Sequence, residues 1–224
     1  MLKLFAAALS GAGLLAGAAL AQDDGSSADV REPRSWESRG QITADGERIR
    51  YRVVAGETFL RDDDGEPTAS IFSTAYLREG VEDPTQRPVA FVFNGGPGSA
   101  SLWLHMGVFG PRRVVLPSDP PGDDGAAPFD VRDNPETLLD EADLVFIDPV
   151  GTGWSEALGD TDPSEEFWGV DEDAASVAEF IRRWLAENRR WNSPKYLIGE
   201  SYGTTRIGAL MRQLEAGWND VSIN

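Results

Sequence analysis

The sequence predicts an α/β fold in which a largely parallel central sheet follows an N-terminal antiparallel hairpin. Three short apolar runs, residues 89–93, 144–147 and 196–198, are typical of strands buried on both faces, as in parallel sheets. Between the second and the third run, apolar residues recur at helical spacing. An alternation of strands and helices favours parallel pairing of the strands. The composition permits a core, because 41% of the 224 residues are hydrophobic and seven are Trp.

The first residues are expected to be an export signal. Lys3 precedes an uncharged run of Ala, Leu and Gly, and residues 19–21 (Ala-Leu-Ala) satisfy the small-x-small rule for cleavage. A membrane anchor is the alternative, and the dilution of the run by Ala and Gly disfavours it. We therefore expect residues 1–21 to be a signal peptide, residues 22–40 to be a flexible leader, and the protein to be exported to the periplasm or the cell exterior, with no membrane association after cleavage.

The folded part is expected to span residues 41–224 and to open with the antiparallel hairpin. Residues 48–60 and 69–77 alternate apolar and polar side chains, which is typical of half-buried strands. The sequence Asp-Asp-Asp-Gly at residues 62–65 between them supplies turn chemistry. The hairpin is therefore predicted from both the period and the turn.

One amphipathic helix is predicted over about residues 171–188, between the second and third apolar runs. Its apolar stripe has positions i, i+3, i+4, i+7 and i+8, occupied by Val177, Phe180, Ile181, Trp184 and Leu185. Acidic residues cluster at its start and arginines toward its end, which suits the helix dipole. The stripe is expected to pack on the sheet.

Charge and rare residues exclude several functional classes. The chain has 38 acidic and 20 basic residues, a formal charge of −18, which argues against nucleic-acid binding because phosphate contacts need clustered Lys and Arg. It has no Cys, which excludes disulfides, thiol catalysis and zinc–thiolate sites, and its single His excludes multi-histidine metal sites. No metal and no cofactor is expected, and nothing predicts the oligomeric state.

A G-x-S-x-G sequence at residues 199–203 places Ser201 between a predicted strand and a predicted helix. The helix is indicated by apolar residues at helical spacing from Ile207 to Leu214. In this context the motif predicts a nucleophile elbow, a tight turn that lifts the serine hydroxyl above the edge of the sheet. The alternative is a glycine-flanked turn whose serine has no chemical role.

Residues 94–101 (Asn-Gly-Gly-Pro-Gly-Ser-Ala-Ser) directly follow the first buried strand. Three glycines and a proline predict a rigid loop whose amides point inward, suited to part of an oxyanion hole. An ordinary turn is the alternative, and a phosphate loop is disfavoured because the Lys-Ser/Thr ending is absent. A third glycine-containing loop, residues 148–155, follows the second buried strand.

These three motifs, in this order, resemble those of the serine carboxypeptidase family, peptidase family S10, of the α/β-hydrolase fold. The resemblance runs from about Val89 to the C-terminus and departs from the family pattern at Ser99, where Cys is common, and at Ala100. It implies a serine-type carboxypeptidase that acts on peptides from the C-terminus through an acyl-enzyme.

The resemblance also implies roles for individual residues. Ser201 would be the acylated nucleophile, and the backbone amides of Gly96 and Tyr202 would form the oxyanion hole. Asn94 and Glu200 match the residues that hold the terminal carboxylate of the substrate. Glu200 would have to be protonated for this, because two bare carboxylates repel in a dry pocket.

One family position departs from the pattern and leaves the substrate class open. Val108 stands where the family has a second glutamate in the carboxylate clasp. His105, one helical turn earlier, is either a cationic substitute or a partly exposed helix histidine. An esterase or acyltransferase on the same scaffold is therefore the alternative to a carboxypeptidase.

The acid and base of a Ser-Asp-His triad have no counterpart here. The residues after Ser201 include Asp220 but no histidine, and His105 precedes the nucleophile. Residues 221–224 alternate like the opening of a strand. We therefore expect an N-terminal portion of a longer enzyme, truncated after the nucleophile helix and inactive alone; a degenerate gene product or a non-catalytic fragment is the alternative.

Overall fold

A seven-stranded sheet is the centre of the computed structural model, which describes residues 31–115, 127–216 and 219–224. The predicted signal peptide, residues 1–21, and the leader up to residue 30 lie outside the described residues. The strands are β1 Ser35–Ala44, β2 Glu47–Arg61, β3 Pro67–Arg78, β4 Val89–Phe93, β5 Arg112–Val114, β6 Val131–Asp133, β7 Asp143–Ile147, β8 Glu156–Ala157 and β9 Lys195–Gly199. The helices are α1 Pro163–Glu166, α2 Val170–Glu187 and α3 Tyr202–Leu214, with short 3₁₀ turns at Pro84–Gln86 and Leu138–Asp140 and a π-helix at Leu104–Phe109.

The sheet is mixed, which corrects the expectation of a largely parallel one. Its strand order is β1-β2-β3-β7-β4-β9, with β8 beside β3, while β5 and β6 form a separate pair. Only β4 pairs in parallel, with β7 on one side and β9 on the other; the remaining pairs are antiparallel. The physical reason is that the three long N-terminal strands follow one another along the chain through short connections, residues 45–46 and 62–66, so they pair without crossover helices.

The predicted flexible leader is wrong where it overlaps β1. Residues 35–40 lie in this strand, which pairs with β2 from Ser35 opposite Gly56 to Ala44 opposite Glu47. Most of β1 is exposed, so its polar composition suits an edge strand held by backbone hydrogen bonds rather than by apolar burial. The predicted hairpin, β2 and β3, is confirmed but is part of a three-stranded meander.

The predicted buried strands are confirmed in two cases out of three. Every residue of β4 and β7 is buried, as expected of strands covered on both faces. In contrast, β9 is the last strand of the sheet in the part that the structure describes, and its Tyr196 is 43% exposed. The third apolar run is therefore a strand, but it is not covered on both faces.

The predicted amphipathic helix is α2, and its apolar stripe forms much of the core on one face of the sheet. Val177, Phe180, Ile181, Trp184 and Leu185 are each at most 5% exposed. The ring of Trp184 meets that of Phe91 in β4 edge-on, with centroids 5.4 Å apart. A second apolar cluster, which includes Val92 and Phe146, covers the opposite face. Of the helices described, none is long and apolar enough to span a bilayer.

A buried charge network fixes the amino ends of the parallel strands. Asp143, at the start of β7, accepts hydrogen bonds from Arg87 Nε at 3.0 Å and from Arg190 Nη1 at 2.6 Å. It also accepts one from the backbone N–H of Arg78 at 2.9 Å. These three hydrogen-bond donors compensate the charge of the buried carboxylate. They also link β3, β7 and the segment after α2.

The strand expected to open at residue 222 is not formed among the described residues. Val221 is buried and donates its backbone N–H to the carbonyl of Leu214 at 2.9 Å. Asn224 donates its N–H to the carbonyl of Lys195 at 2.9 Å and accepts the Lys195 N–H at Oδ1 at 3.0 Å, so only one of these two bonds to β9 joins backbone to backbone. The alternating pattern alone therefore does not produce a paired strand here, because a ladder needs repeated backbone bonds along a neighbour.

Candidate active site

Ser201 occupies a sharp turn between β9, which ends at Gly199, and α3, which begins at Tyr202. Its backbone has φ 55° and ψ −122°, a conformation that side-chain-bearing residues rarely adopt. The turn is closed by Gly203 N–H to Glu200 O at 2.8 Å and by Thr204 N–H to Ser201 O at 3.0 Å. The side chain is exposed. This is the geometry predicted for a nucleophile elbow.

The two glycines of the motif are explained by close backbone approach. A β-carbon at Gly199 would lie 2.5 Å from the carbonyl oxygen of Gly203. A β-carbon at Gly203 would lie 3.0 Å from the carbonyl oxygen of Phe93, at the end of β4. Strand, turn and helix can therefore cross at this distance only without side chains at positions 199 and 203.

The glycine loop, residues 94–101, packs directly against the backbone that follows Ser201. A β-carbon at Gly95 would overlap the nitrogen of Tyr202 and would lie 2.5 Å from the carbonyl oxygen of Glu200. The next residue, Gly96, has φ 104°, which side chains disfavour. The loop closes on itself through Ser99 N–H to Gly95 O at 3.0 Å. The segments carrying the two predicted oxyanion donors, Gly96 and Tyr202, therefore lie side by side.

The two predicted carboxylate-binding residues are also brought together. Asn94 Nδ2 donates to Glu200 Oε2 at 3.4 Å, and Asn94 Oδ1 accepts the backbone N–H of Leu104 at 3.1 Å. Asn94 is 1% exposed, whereas Glu200 is exposed at the turn. A buried amide of fixed orientation beside an accessible carboxyl group can recognise a carboxylate if the carboxyl group is protonated.

A buried arginine under the glycine loop was not identified from the sequence. Arg206, on α3, is 1% exposed and donates from Nε to Asp173 Oδ2 at 2.8 Å. Its Nη1 donates to the backbone carbonyl of Asn94 at 2.8 Å. Burial raises the pKa of Asp173, and the charge of Arg206 and its hydrogen bond oppose that rise.

The sequence contains one indication that Arg206 is buried, because this residue occupies a position in the apolar pattern of α3. Arg206, Leu210 and Leu214 recur every four residues and all three are buried, so the arginine stands on the core-facing side of α3. A charged residue on such a face needs a buried partner. The partner itself, Asp173 on α2, lies 33 residues away in sequence, so no local pattern identified it.

The third motif, residues 148–155, is hydrogen-bonded to the end of the glycine loop. Asp148, which follows β7, accepts the backbone N–H of Ser101 at 2.8 Å, so it joins the end of the glycine loop to residues 148–155. Ser155 Oγ donates to the carbonyl of Asp148 at 2.6 Å and accepts the N–H of Phe72 at 2.7 Å. Burial raises the pKa of Asp148, and N–H bonds from Ser101 and Trp154 oppose the rise.

His105 is not the cationic substitute considered from the sequence. Its ring stacks on Phe146 with centroids 4.4 Å apart, and its Nε2 lies 2.7 Å from the hydroxyl of Tyr76. Burial lowers the pKa of His105 to about 4, so the imidazole is neutral at pH 7. Val108, on the same π-helix, is 45% exposed and supplies no charge.

A cavity of about 320 Å³ lies beside the turn. Its lining residues are Pro97, Gly98, Pro149, Val150, Gly151, Phe167, Trp168, Asp173 and Tyr202. The lining joins the glycine loop, the third motif and the residue after Ser201, and it is mostly apolar. Within the described ranges, no group of three or more His, Asp or Glu side chains is arranged to hold a metal ion.

Comparison with known sequences gives one consistent family. The family model for serine carboxypeptidase, peptidase S10, matches residues 68–224. Serine carboxypeptidase-like 44 of Arabidopsis thaliana is 30% identical over 156 residues, which are 69% of this chain and 29% of that protein. Serine carboxypeptidase-like 36 of the same plant is 30% identical over 197 residues, which are 87% of this chain and 37% of that protein.

Comparison with solved structures identifies the same fold. The chain is similar to Kex1(delta)p, a prohormone-processing carboxypeptidase from Saccharomyces cerevisiae, with a TM-score of 0.59 and 23% identity. The match covers 73% of this chain and 34% of that one. The 224 residues thus span about a third of the length of the relatives and of the structure that they match.

Proposed function

Because the chain belongs to the serine carboxypeptidase family, we propose that it contributes the nucleophile of a serine-type carboxypeptidase, which removes residues from the C-terminus of peptides through an acyl-enzyme at Ser201. The single observation that supports this best is the strained turn at Ser201, with the glycine loop packed against the next backbone nitrogen. A strained, exposed serine at the end of a strand is a costly conformation that an idle turn does not require.

The amides of Gly96 and Tyr202 are proposed to stabilise the oxyanion that forms when Ser201 attacks the scissile carbonyl. The contact between Gly95 and Tyr202 N supports this, because it holds the two segments at backbone contact distance. Each such donor is worth about 10²- to 10³-fold in kcat. The neighbouring cavity of about 320 Å³ has room for a side chain of the substrate beside Tyr202.

Asn94 and Glu200 are proposed to bind the terminal carboxylate of the peptide. The bond between their side chains supports a shared site, and the exposure of Glu200 leaves it accessible to a ligand. A protonated Glu200 would donate to the carboxylate, and a charge-assisted hydrogen bond of this kind contributes about 1.5–3 kcal/mol. The substrate is therefore a peptide with a free C-terminus.

The general base is proposed to come from a part of the protein outside this sequence. A serine hydroxyl needs a base to accept its proton, and the sequence contains one histidine, His105. That imidazole is engaged with Tyr76 and Phe146. By this proposal, residues 1–224 without further segments do not turn over substrate.

Export is proposed on the sequence of residues 1–21, with the mature protein in the periplasm or outside the cell. The N-terminal sequence of protein recovered from the culture medium or the periplasm tests this. We expect it to begin at Gln22, whereas an intact Met1 in an exported protein would contradict cleavage.

The experiment that tests the proposed function compares two peptides that differ only at the C-terminus, a free carboxylate and its amide. The complete protein is expected to release the last residue from the acid and to act far more slowly on the amide, and Ser201→Ala is expected to abolish both. Equal rates on both peptides, or turnover of esters alone, would indicate an esterase or acyltransferase. Unchanged turnover in Ser201→Ala would refute the role of the serine.

A further inference from the structure

We propose that Arg206 is a positioning residue that holds the glycine loop in the shape that lets the amides of Gly96 and Tyr202 converge on one oxygen. The catalytic consequence of this inference rests on the proposed function, whereas its structural part does not. Arg206 touches no substrate atom in this proposal. It acts through the backbone of the loop above it.

The guanidinium of Arg206 contacts the glycine loop on both sides of Gly96, whose N–H is the proposed oxyanion donor. Nη1 donates to the carbonyl of Asn94 at 2.8 Å, and Nη2 lies 3.5 Å from the carbonyl of Pro97. These two carbonyls stand on either side of Gly95 and Gly96 in the chain. Arg206 is therefore firmly hydrogen-bonded to the loop before Gly95 and makes a long contact with it after Gly96.

The same side chain also fixes the second donor, because it belongs to the helix that begins at Tyr202. Its guanidinium carbon lies 5.2 Å from the centroid of the Tyr202 ring and 5.4 Å from that of Phe93, the last residue of β4. Cation–π contact on two sides restricts its rotation. One side chain thus links the end of β4, the glycine loop and the first turn of α3.

Asp173 holds the guanidinium group of Arg206 in this orientation. It accepts the Nε hydrogen bond at 2.8 Å, and its side chain is 9% exposed, against 1% for that of Arg206. A planar guanidinium can serve three acceptors in fixed directions, which the ammonium of a lysine on a flexible stem cannot reproduce. The Arg206–Asp173 pair is therefore suited to fix the geometry of the glycine loop, and not only to neutralise charge.

The same two helices offer a matched control on the surface. Arg212 of α3 donates to Asp171 of α2 at 2.9 Å, but their side chains are 73% and 64% exposed. Both pairs bridge α3 to α2 with the same residue types. Only the buried pair reaches the glycine loop, so a comparison of the two separates loop positioning from helix docking.

The test uses the complete protein and four variants: Arg206→Lys, the double variant Arg206→Met with Asp173→Asn, and the corresponding changes at Arg212 and Asp171. The double variant at Arg206 and Asp173 avoids leaving a buried carboxylate unpaired, and the double variant at Arg212 and Asp171 matches it in residue type. Hydrogen exchange of the segment 94–101, the thermal midpoint, and kcat and KM for a peptide with a free C-terminus are measured for each.

We expect both Arg206 variants to speed amide exchange in residues 94–101 at least tenfold. We also expect kcat to fall by about 10- to 100-fold with KM within about twofold, because an oxyanion donor acts in the transition state. The Arg212 variants should change none of these. If the wild type hydrolyses no peptide, the proposed function fails, and the exchange measurement still decides the positioning role.

Three results would overturn the proposal. The first is unchanged exchange and unchanged kcat in both Arg206 variants. The second is a loss of kcat that is matched by a rise in KM and by faster exchange throughout the chain, which indicates a role in stability alone. The third is failure of both Arg206 variants to fold, since the pair would then serve the whole fold and not the loop.

Discussion

Gly95 and Tyr202 are in backbone contact, although 107 positions separate them in the sequence: a β-carbon added to Gly95 would overlap the nitrogen of Tyr202. This contact joins the loop after β4 to the first residue of α3. It places the backbone of the glycine loop next to the amide that follows Ser201, which is where an acyl-transfer enzyme needs hydrogen-bond donors.

Replacing Gly95 with Ala is expected to separate the loop from the helix. The methyl group would also lie 2.5 Å from the carbonyl oxygen of Glu200, and backbone on that side cannot yield without moving the turn at Ser201. In the complete protein we expect kcat/KM to fall at least about 100-fold, the loss of one oxyanion donor. Peptide hydrolysis measures it.

Gly98→Ala in the same loop is the matched control. A β-carbon there meets nothing within 4 Å, and the backbone does not have a positive φ. Its kcat should stay within about twofold of wild type, and any change should be in KM, because Gly98 lines the cavity proposed to hold a substrate side chain. Equal losses in the two variants would show that the loop tolerates no added methyl group, and the specific contact with Tyr202 would not explain the first result.

Glu200→Ala is expected to reduce the preference for a free C-terminus over an amide. The side chain is exposed and receives one weak hydrogen bond, from Asn94 at 3.4 Å, so its removal should not affect folding. Loss of a charge-assisted bond of about 1.5–3 kcal/mol predicts a selectivity loss of about 10- to 100-fold. The ratio of kcat/KM on the two peptides measures it.

Glu187→Ala, at the exposed C-terminal end of α2, serves as the control for this prediction. It truncates the same type of side chain away from the turn and should keep the selectivity of the wild type. A preference that survives in Glu200→Ala would mean that other residues bind the terminal carboxylate.

His105 is expected to make stability depend on pH between about 6.5 and 4. Its pKa is lowered to about 4 by burial in the folded state, against about 6.5 when unfolded. The unfolded chain therefore binds the proton more readily, and the contribution is present above pH 6.5 and lost as pH falls toward 4. Between pH 7 and pH 5 the loss is about 2 kcal/mol by this linkage.

The measurement is the free energy of unfolding of wild type and His105→Gln at pH 7 and pH 5. Every other titratable group is common to the two proteins, so the difference between them isolates the contribution of the His105 imidazole. The free energy of unfolding of the wild type minus that of the variant should be lower by about 2 kcal/mol at pH 5 than at pH 7. An unchanged difference would indicate that the imidazole titrates alike in both states.

Asp143→Asn is expected to destabilise the protein by about 3–5 kcal/mol, because it leaves two buried guanidinium groups without their carboxylate. Arg87 and Arg190 both donate to Asp143, whose side chain is 3% exposed. Asp171→Asn, in the exposed pair with Arg212, should cost less than about 1 kcal/mol. Urea unfolding compares the two variants, and similar midpoints would contradict the difference in burial.

The sequence predicted those parts of the fold that a single periodic pattern determines. The stripe from Val177 to Leu185 identified α2, and the all-apolar runs identified β4 and β7, because burial on one face or two leaves a direct trace in residue type. The turn at Ser201 was predicted from the G-x-S-x-G sequence between a strand pattern and a helix pattern. The flanking glycines report a steric requirement that the structure then displays.

Other features depend on contacts between distant segments and leave no local trace. Strand β1 pairs through its backbone at an exposed edge, so polar residues 35–40 gave no strand pattern. The partner of Arg206 is on another helix, and the neutral state of His105 depends on burial among Tyr76 and Phe146. Burial and partner identity are tertiary properties, which periodicity alone does not specify.

The central claim is that Ser201 is the nucleophile, and covalent labelling tests it most directly. The complete protein is treated with a fluorophosphonate, and the modified peptide is identified by mass spectrometry. We predict one adduct, on the hydroxyl of Ser201, and none in Ser201→Ala. An adduct on another residue, or labelling that is undiminished in Ser201→Ala, would contradict the account.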